Sequence, residues 1–281
     1  MLPKMPASAA ADFVVSSVIV ATLPVTRPPR RTRRSGLGPL GAVLAAVLAT
    51  SALGTAPASA PVSAATAFRL DVSTPTDFVA QTNFVQCVGA SMQMMLNMIE
   101  PTDDRSAAEQ LRLQDMARYY SGSRPDGRNR QGASIRGWSA GLNLEGAGPY
   151  RIAGAPTIDE AMRIAARAIR VTGKPVGLLV WRGRHAWVMG GFAATADPAV
   201  TANFEVTQAI VLDPLYPHGS KTWGRSPRPR EALSVADLGR QFVPRGTGRN
   251  SRSWMSSFSG QYVLLIPLRP MRDRHVGLLP A

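Results

Sequence analysis

The chain carries one cysteine, Cys87, and three histidines among 281 residues. From Cys87 onward, Ala90, Ser91, Met94, Met95 and Met98 recur at three- and four-residue spacing, which places the thiol in the first turn of a helix that Pro101 ends. A thiol there meets the positive end of the helix dipole, and that favours the thiolate, the nucleophilic form. His185 heads an alternating segment directly after Arg182-Gly183-Arg184. An imidazole at that point can face a cleft, with Trp187 and Met189 on the same strand face to keep water off it, and take the thiol proton. Asp213, followed by Pro214, closes a further alternating segment and can hold the His185 ring in one tautomer. Gln81 lies six residues before Cys87, close enough for its amide to return to the helix mouth beside the Cys87 N–H as an oxyanion hole. Taken together, these residue types in this order predict acyl transfer through a thiol.

Each residue has a plainer reading. Cys87 can be an inert thiol on a Met-rich face, His185 a satisfied strand residue, and Asp213-Pro214 a strand boundary; Asp197-Pro198 repeats that dipeptide with no strand before it. Gln86 competes with Gln81 for the oxyanion role, and His218, on a Pro/Gly-rich turn, competes with His185 as base.

Composition narrows the chemistry. One cysteine excludes an intrachain disulfide framework and a cysteine-cluster zinc site, so no metal or cofactor is implied. The formal net charge of +14 comes almost wholly from arginine, with Lys only at 4, 174 and 221. Those arginines are scattered and not interleaved with aromatics along one face, which argues against a nucleic-acid partner and for a solvated basic surface, with an anionic cell-wall polymer as a further partner.

The elements that must position these groups follow from pattern. Thr66 to Gln81, punctuated by Pro75, reads as an extended arm. After the Cys87 helix, Asp103 or Asp104 caps a second helix through Tyr119, and Ser121 to Gly132 reads as loop. Thr157-Ile-Asp-Glu160 has capping-box spacing, Met162, Ala165 and Ile169 share a face, and Gly173-Lys174-Pro175 stops that helix. Val176 to Trp181 and His185 to Phe192 make a hairpin whose edge near His185 is a candidate for pairing with an extended peptide. Phe204 to Leu212 forms a third strand, Ser234 to Phe242 a short helix, and Tyr262 to Pro267 a last strand. Arg228 to Arg252 is either a lid or a solvated loop, with Gly246 to Arg252 a flexible basic stretch. Helices first and an antiparallel sheet later is α+β order.

Residues 1–64 read as an export region. Arg27 to Arg34 is strongly cationic, Leu37 to Ala56 has no charge, and Ala58-Ser59-Ala60 and Val62-Ser63-Ala64 both fit the small-x-small cleavage rule. A single domain over 65–281 is then expected outside the cell, meeting the membrane only during export. The alternative is an uncleaved anchor.

Four segments carry a resemblance: Gln81-Thr-Asn-Phe-Val-Gln-Cys87-Val-Gly-Ala-Ser, Gly173-Lys-Pro-Val-Gly-Leu-Leu-Val, Arg184-His185-Ala-Trp-Val-Met-Gly-Gly-Phe192 and Val211-Leu-Asp213-Pro214. From about Phe78 to Pro217 the chain resembles the papain-like cysteine peptidases related to the bacteriocin-leader-processing peptidases. The resemblance implies a papain-like α+β fold, with the Cys on the first helix packed on an antiparallel sheet that carries His and Asp. It implies Cys87 as nucleophile, His185 as base, Asp213 as orienting acid and Gln81 in the oxyanion hole. Nothing after Ala65 looks like a membrane span or a phosphate-binding loop, so a free-standing exported hydrolase acting on a peptide or isopeptide is expected. An acyltransferase with the same residues, or a catalytically idle module that binds wall polymer or a partner protein, is the alternative.

Overall fold

The computed structural model describes residues 68–100, 102–121, 132–246 and 257–270. The expected export region, the loop 122–131 and the basic stretch after Gly246 lie outside them.

In chain order the elements are β1 (Phe68–Asp71), a 3-10 turn (Pro75–Asp77), α1 (Cys87–Ile99), α2 (Ala107–Tyr120), α3 (Ile135–Leu144), β2 (Tyr150–Ala155) and α4 (Ile158–Thr172). There follow β3 (Val176–Val180), β4 (His185–Ala194), β5 (Val206–Leu212), β6 (Gly219–Ser220), β7 (Gly224–Arg225), β8 (Glu231–Ser234), α5 (Val235–Leu238) and β9 (Tyr262–Pro267). The main sheet runs β2-β9-β3-β4-β5-β8, with β1 added to β4, and its pairs are antiparallel. The protein is of the α+β class.

The sheet is covered on both faces. Ala186, Val188, Leu212 and Leu265 turn to a core shared with Met92, Met95, Leu113 and Trp138 of α1–α3. Trp187, Met189, Leu178 and Leu264 turn to the opposite core with Met162, Ala165 and Ile169 of α4. Burial on two faces explains why β3 and β9 read as continuous apolar runs instead of alternating ones. Met162 and Ile169 are fully buried, each contributing roughly 1.5–3 kcal/mol. The α4 signals hold: Thr157 Oγ1 accepts from the Glu160 N–H at 3.2 Å, and Gly173, at φ +68°, closes the helix.

Several elements differ from expectation. The arm is not wholly irregular, because β1 pairs with Gly191 to Ala194 of β4, continuing the side of β4 that β3 occupies from His185 to Met189. With β5 on the other side from Val188 to Ala194, β4 is an interior strand there, whereas residues 185–187 are paired with β3 alone. Phe192, which strict alternation along β4 would put with Ala186 and Val188, joins the α4-side core, since a register shift between Met189 and Gly191 flips the alternation. A side chain at Gly190 would stand 2.8 Å from Ser73 Cβ, so glycine lets the arm cross there. The cap of α2 is Ser106, which accepts from the Glu109 N–H at 3.2 Å, while Asp104 accepts from the Ser106 N–H at 2.7 Å. The helix expected over 234–242 is regular only across Val235–Leu238, and β5 begins at Val206, not Phe204.

Helix α1 lies tight against α2. A methyl group at Gly89 would stand 2.6 Å from the Gln110 carbonyl oxygen and 2.8 Å from Gln114 Cβ. Gly89→Ala must therefore push α1 off α2, with Cys87 carried along. The expected result is a loss of about 1–3 kcal/mol in urea unfolding, with slower alkylation of Cys87.

Candidate active site

Cys87 opens α1 and is 8% exposed, sheltered but within reach of the surface. The first N–H groups of a helix have no partner within it. Here the Gly89 N–H donates to Gln114 Oε1 at 2.8 Å, and the Ala90 N–H to the Gln86 carbonyl at 3.0 Å. The Cys87 and Val88 N–H groups are left without a protein acceptor among the described residues. They are available to a developing negative charge beside the sulfur.

His185 is 4% exposed and Asp213 fully buried. The chain reaches this pairing because β4 starts where the β3–β4 turn ends, and Asp213 lies one residue past the end of β5, whose Leu212 pairs with Val188. His185 Nε2 and Asp213 Oδ1 are 2.7 Å apart, and the same oxygen accepts from the Leu215 N–H at 2.8 Å. Asp213 Oδ2 has no hydrogen-bond partner among the described residues. The other group that acts electrostatically on the ring is Cys87. With Nε2 committed to Asp213, the nitrogen left for the thiol is Nδ1.

The electrostatics favour a charged ring. Burial alone would push the His185 imidazolium to lose its proton. The hydrogen bond to Asp213 and the interaction with Cys87, with the attraction of both charges, outweigh that and hold the group above its usual value. A raised folded value means that the charge of His185 stabilises the fold fully below the unfolded value, about 6.5, and that this contribution is lost as pH climbs through the folded value. The unfolding free energy of the wild type should thus decline with alkaline pH more steeply than that of His185→Gln, as read from urea midpoints across pH 6 to 10.

The third expected group is nearby but differently employed. The Gln81 N–H donates to the Pro214 carbonyl at 2.7 Å, which ties the arm to the residue after Asp213. Its side-chain Nε2 donates to the Asn83 carbonyl at 2.8 Å, and its Oε1 is buried without a partner among the described residues. One amide hydrogen thus turns back onto the 81–86 loop. Gln86, the rival, is buried, with its Oε1 accepting from Thr82 Oγ1. His218, the rival base, is exposed, its ring 6.5 Å from that of Phe84. Asp197, the comparison carboxylate, is paired with Arg170 at 2.9 Å.

Some contributors escaped the sequence reading. Gln110 and Gln114, one turn apart on the buried side of α2, lace the loop before Cys87. Gln110 accepts from the Thr82 N–H at 2.8 Å and donates to the Ala80 carbonyl at 3.0 Å, and Gln114 donates to the Val85 carbonyl at 3.1 Å. Their signal was polarity on an otherwise apolar face beside Leu113 and Ala117. The ring that covers His185 is Trp181, stacked at 4.2 Å and 23°. Trp187 and Met189, expected to shield it, belong to the α4-side core.

Among the described residues, no three His, Cys, Asp or Glu side chains gather as a metal site, and no helix is long and apolar enough to cross a membrane. The chain matches no known protein-family model and no curated protein sequence.

Proposed function

We propose that the protein is a cysteine peptidase of papain-like fold and chemistry that hydrolyses a peptide or isopeptide bond. The observation that carries this reading is a nearly buried imidazole 2.7 Å from a fully buried carboxylate, with the only thiol of the chain close enough to raise its proton affinity. In the reaction, the Cys87 proton already resides on His185 Nδ1, and the thiolate attacks the substrate carbonyl carbon. The carbonyl oxygen, now negative, is met by the Cys87 N–H and by the remaining amide hydrogen of Gln81. The imidazolium then protonates the leaving amine as the C–N bond breaks, and a thioester remains on Cys87. Water attacks that thioester, its proton passes to His185, and the carboxylic product and thiolate are released. Asp213 keeps Nε2 as the donor, so that Nδ1 faces sulfur throughout. No step calls for a metal or cofactor. Residues 1–64 are proposed to direct export, which would place this chemistry outside the cell.

Alkylation tests the reading without a known substrate. At pH 6, iodoacetamide should label Cys87 at least about tenfold faster than free cysteine, whose thiolate is scarce there, and His185→Ala should remove the advantage. Slow labelling in both proteins would overturn the proposal and leave a binding module.

A further inference from the structure

The covering of His185 is built from three strained or anchored parts. Trp181 adopts φ +56°, followed by Arg182 at +57° and Gly183 at +93°; left-handed backbone is unusual for a bulky aromatic residue and persists only where its surroundings hold it. Gln241 supplies that hold twice. Its carbonyl accepts from the Trp181 N–H at 2.9 Å, and its side-chain Oε1 accepts from the indole Nε1–H at 2.9 Å. The Gln241 amide is itself fixed by donating to the Arg225 carbonyl at 2.9 Å, and the next residue, Phe242, is fully buried with its ring 5.2 Å from that of Tyr262. The result is an indole pinned at both its main chain and its nitrogen, lying nearly parallel to the imidazole.

We infer that Trp181, clamped by Gln241, is a positioning residue for His185 that fixes the plane of the imidazole so that Nδ1 stays aimed at the Cys87 sulfur. The inference rests on the cysteine-peptidase reading and deepens it. The hydrogen bond to Asp213 holds one atom of the ring at its rim, and such a contact leaves the ring free to tilt about it. The indole face removes the tilt. It also places an electron-rich surface against the ring when that ring becomes a cation, in a setting from which water is largely excluded. Both effects favour the thiolate–imidazolium pair over the neutral pair. The local arrangement has a sequence trace, a tryptophan four residues before the histidine across a glycine-containing turn. Gln241 leaves no such trace, because its partner is 60 residues away.

The test follows Cys87 alkylation by iodoacetamide in the full chain from pH 4 to 9, with far-ultraviolet circular dichroism to verify folding. In Trp181→Leu the rate at pH 6 should fall about tenfold and the acid limb should move to higher pH, as expected when a desolvated cation loses its aromatic face. Trp181→Phe keeps a face while losing the indole nitrogen and should recover most of the rate. Gln241→Leu frees the indole without touching it and should move the limb in the same direction by a smaller amount. Should Trp181→Leu not fold, Trp181→Phe and Gln241→Leu decide the matter. Folded variants with the wild-type pH profile, or with a rate lowered equally at every pH and no recovery in Trp181→Phe, overturn the inference while fast wild-type labelling keeps the peptidase reading intact. Wild-type labelling that is slow and indifferent to His185→Ala overturns the reading beneath it instead.

Discussion

Cys87→Ala is expected to lower hydrolysis of a labelled casein or of a mixed peptide library by at least about 10⁴-fold, with the fold retained. No other cysteine exists to substitute for it. The nearest hydroxyl on the same helix, Ser91, is fully buried and directed at the Ala186 carbonyl, 3.4 Å away. Removal of a single sulfur from a residue that is already 8% exposed leaves little cavity, so the urea midpoint should shift by no more than about 1 kcal/mol. His185→Ala should lose nearly as much activity, and the double variant hardly more than either single one, because in the proposed reaction nucleophile and base act as one unit. An alanine variant that keeps hydrolysing at even a hundredth of the wild-type rate would place the nucleophile elsewhere.

Much of this site was legible because its signals are local. Met94, Met95 and Met98 mark α1 by spacing, Thr157 and Gly173 bracket α4, and the turn before His185 is written in three consecutive residues. The α+β class followed from those elements alone. What stayed hidden depends on partners distant in sequence. Helix α3 carries a Ser134 cap and buried Ile135, Trp138 and Leu142, yet Gly137 and Gly141 lower its intrinsic helix propensity. They are there because the Ala117 carbonyl of α2 and the Met92 side chain of α1 come too close for a side chain. Strand β1 has no periodicity of its own; it is a strand because β4 offers it a ladder. The same holds in the site. Gln81 was found from its six-residue distance to Cys87, but the glutamines that brace its loop answer to backbone groups 28 to 30 residues back, and no pattern on α2 alone names them as anything but polar.

Asp213→Ala should produce the second large effect, on stability and activity together. The carboxylate is fully buried, and one oxygen serves both His185 Nε2 and the Leu215 N–H. Alanine leaves both donors without an acceptor and the imidazolium without its counter-charge in a dry site, for a destabilisation of about 3–5 kcal/mol. Hydrolysis should fall about 10³- to 10⁴-fold, since the ring loses its tautomer and its orientation. Asp213→Asn separates those contributions. Its amide oxygen, held by the Leu215 N–H, can still accept from Nε2, so the orientation survives and the charge does not. The amide nitrogen must then occupy the place of Oδ2, which has no hydrogen-bond partner among the described residues, and a buried N–H₂ group there costs about 1–3 kcal/mol. The asparagine variant should retain roughly a tenth of the activity while the acid limb of Cys87 alkylation moves to higher pH, because a neutral partner supports the imidazolium less well. If both variants hydrolyse like the wild type, the carboxylate is part of the strand-to-turn boundary alone. If asparagine proves as damaging as alanine, the charge of Asp213 and not its grip on the ring is what the reaction uses.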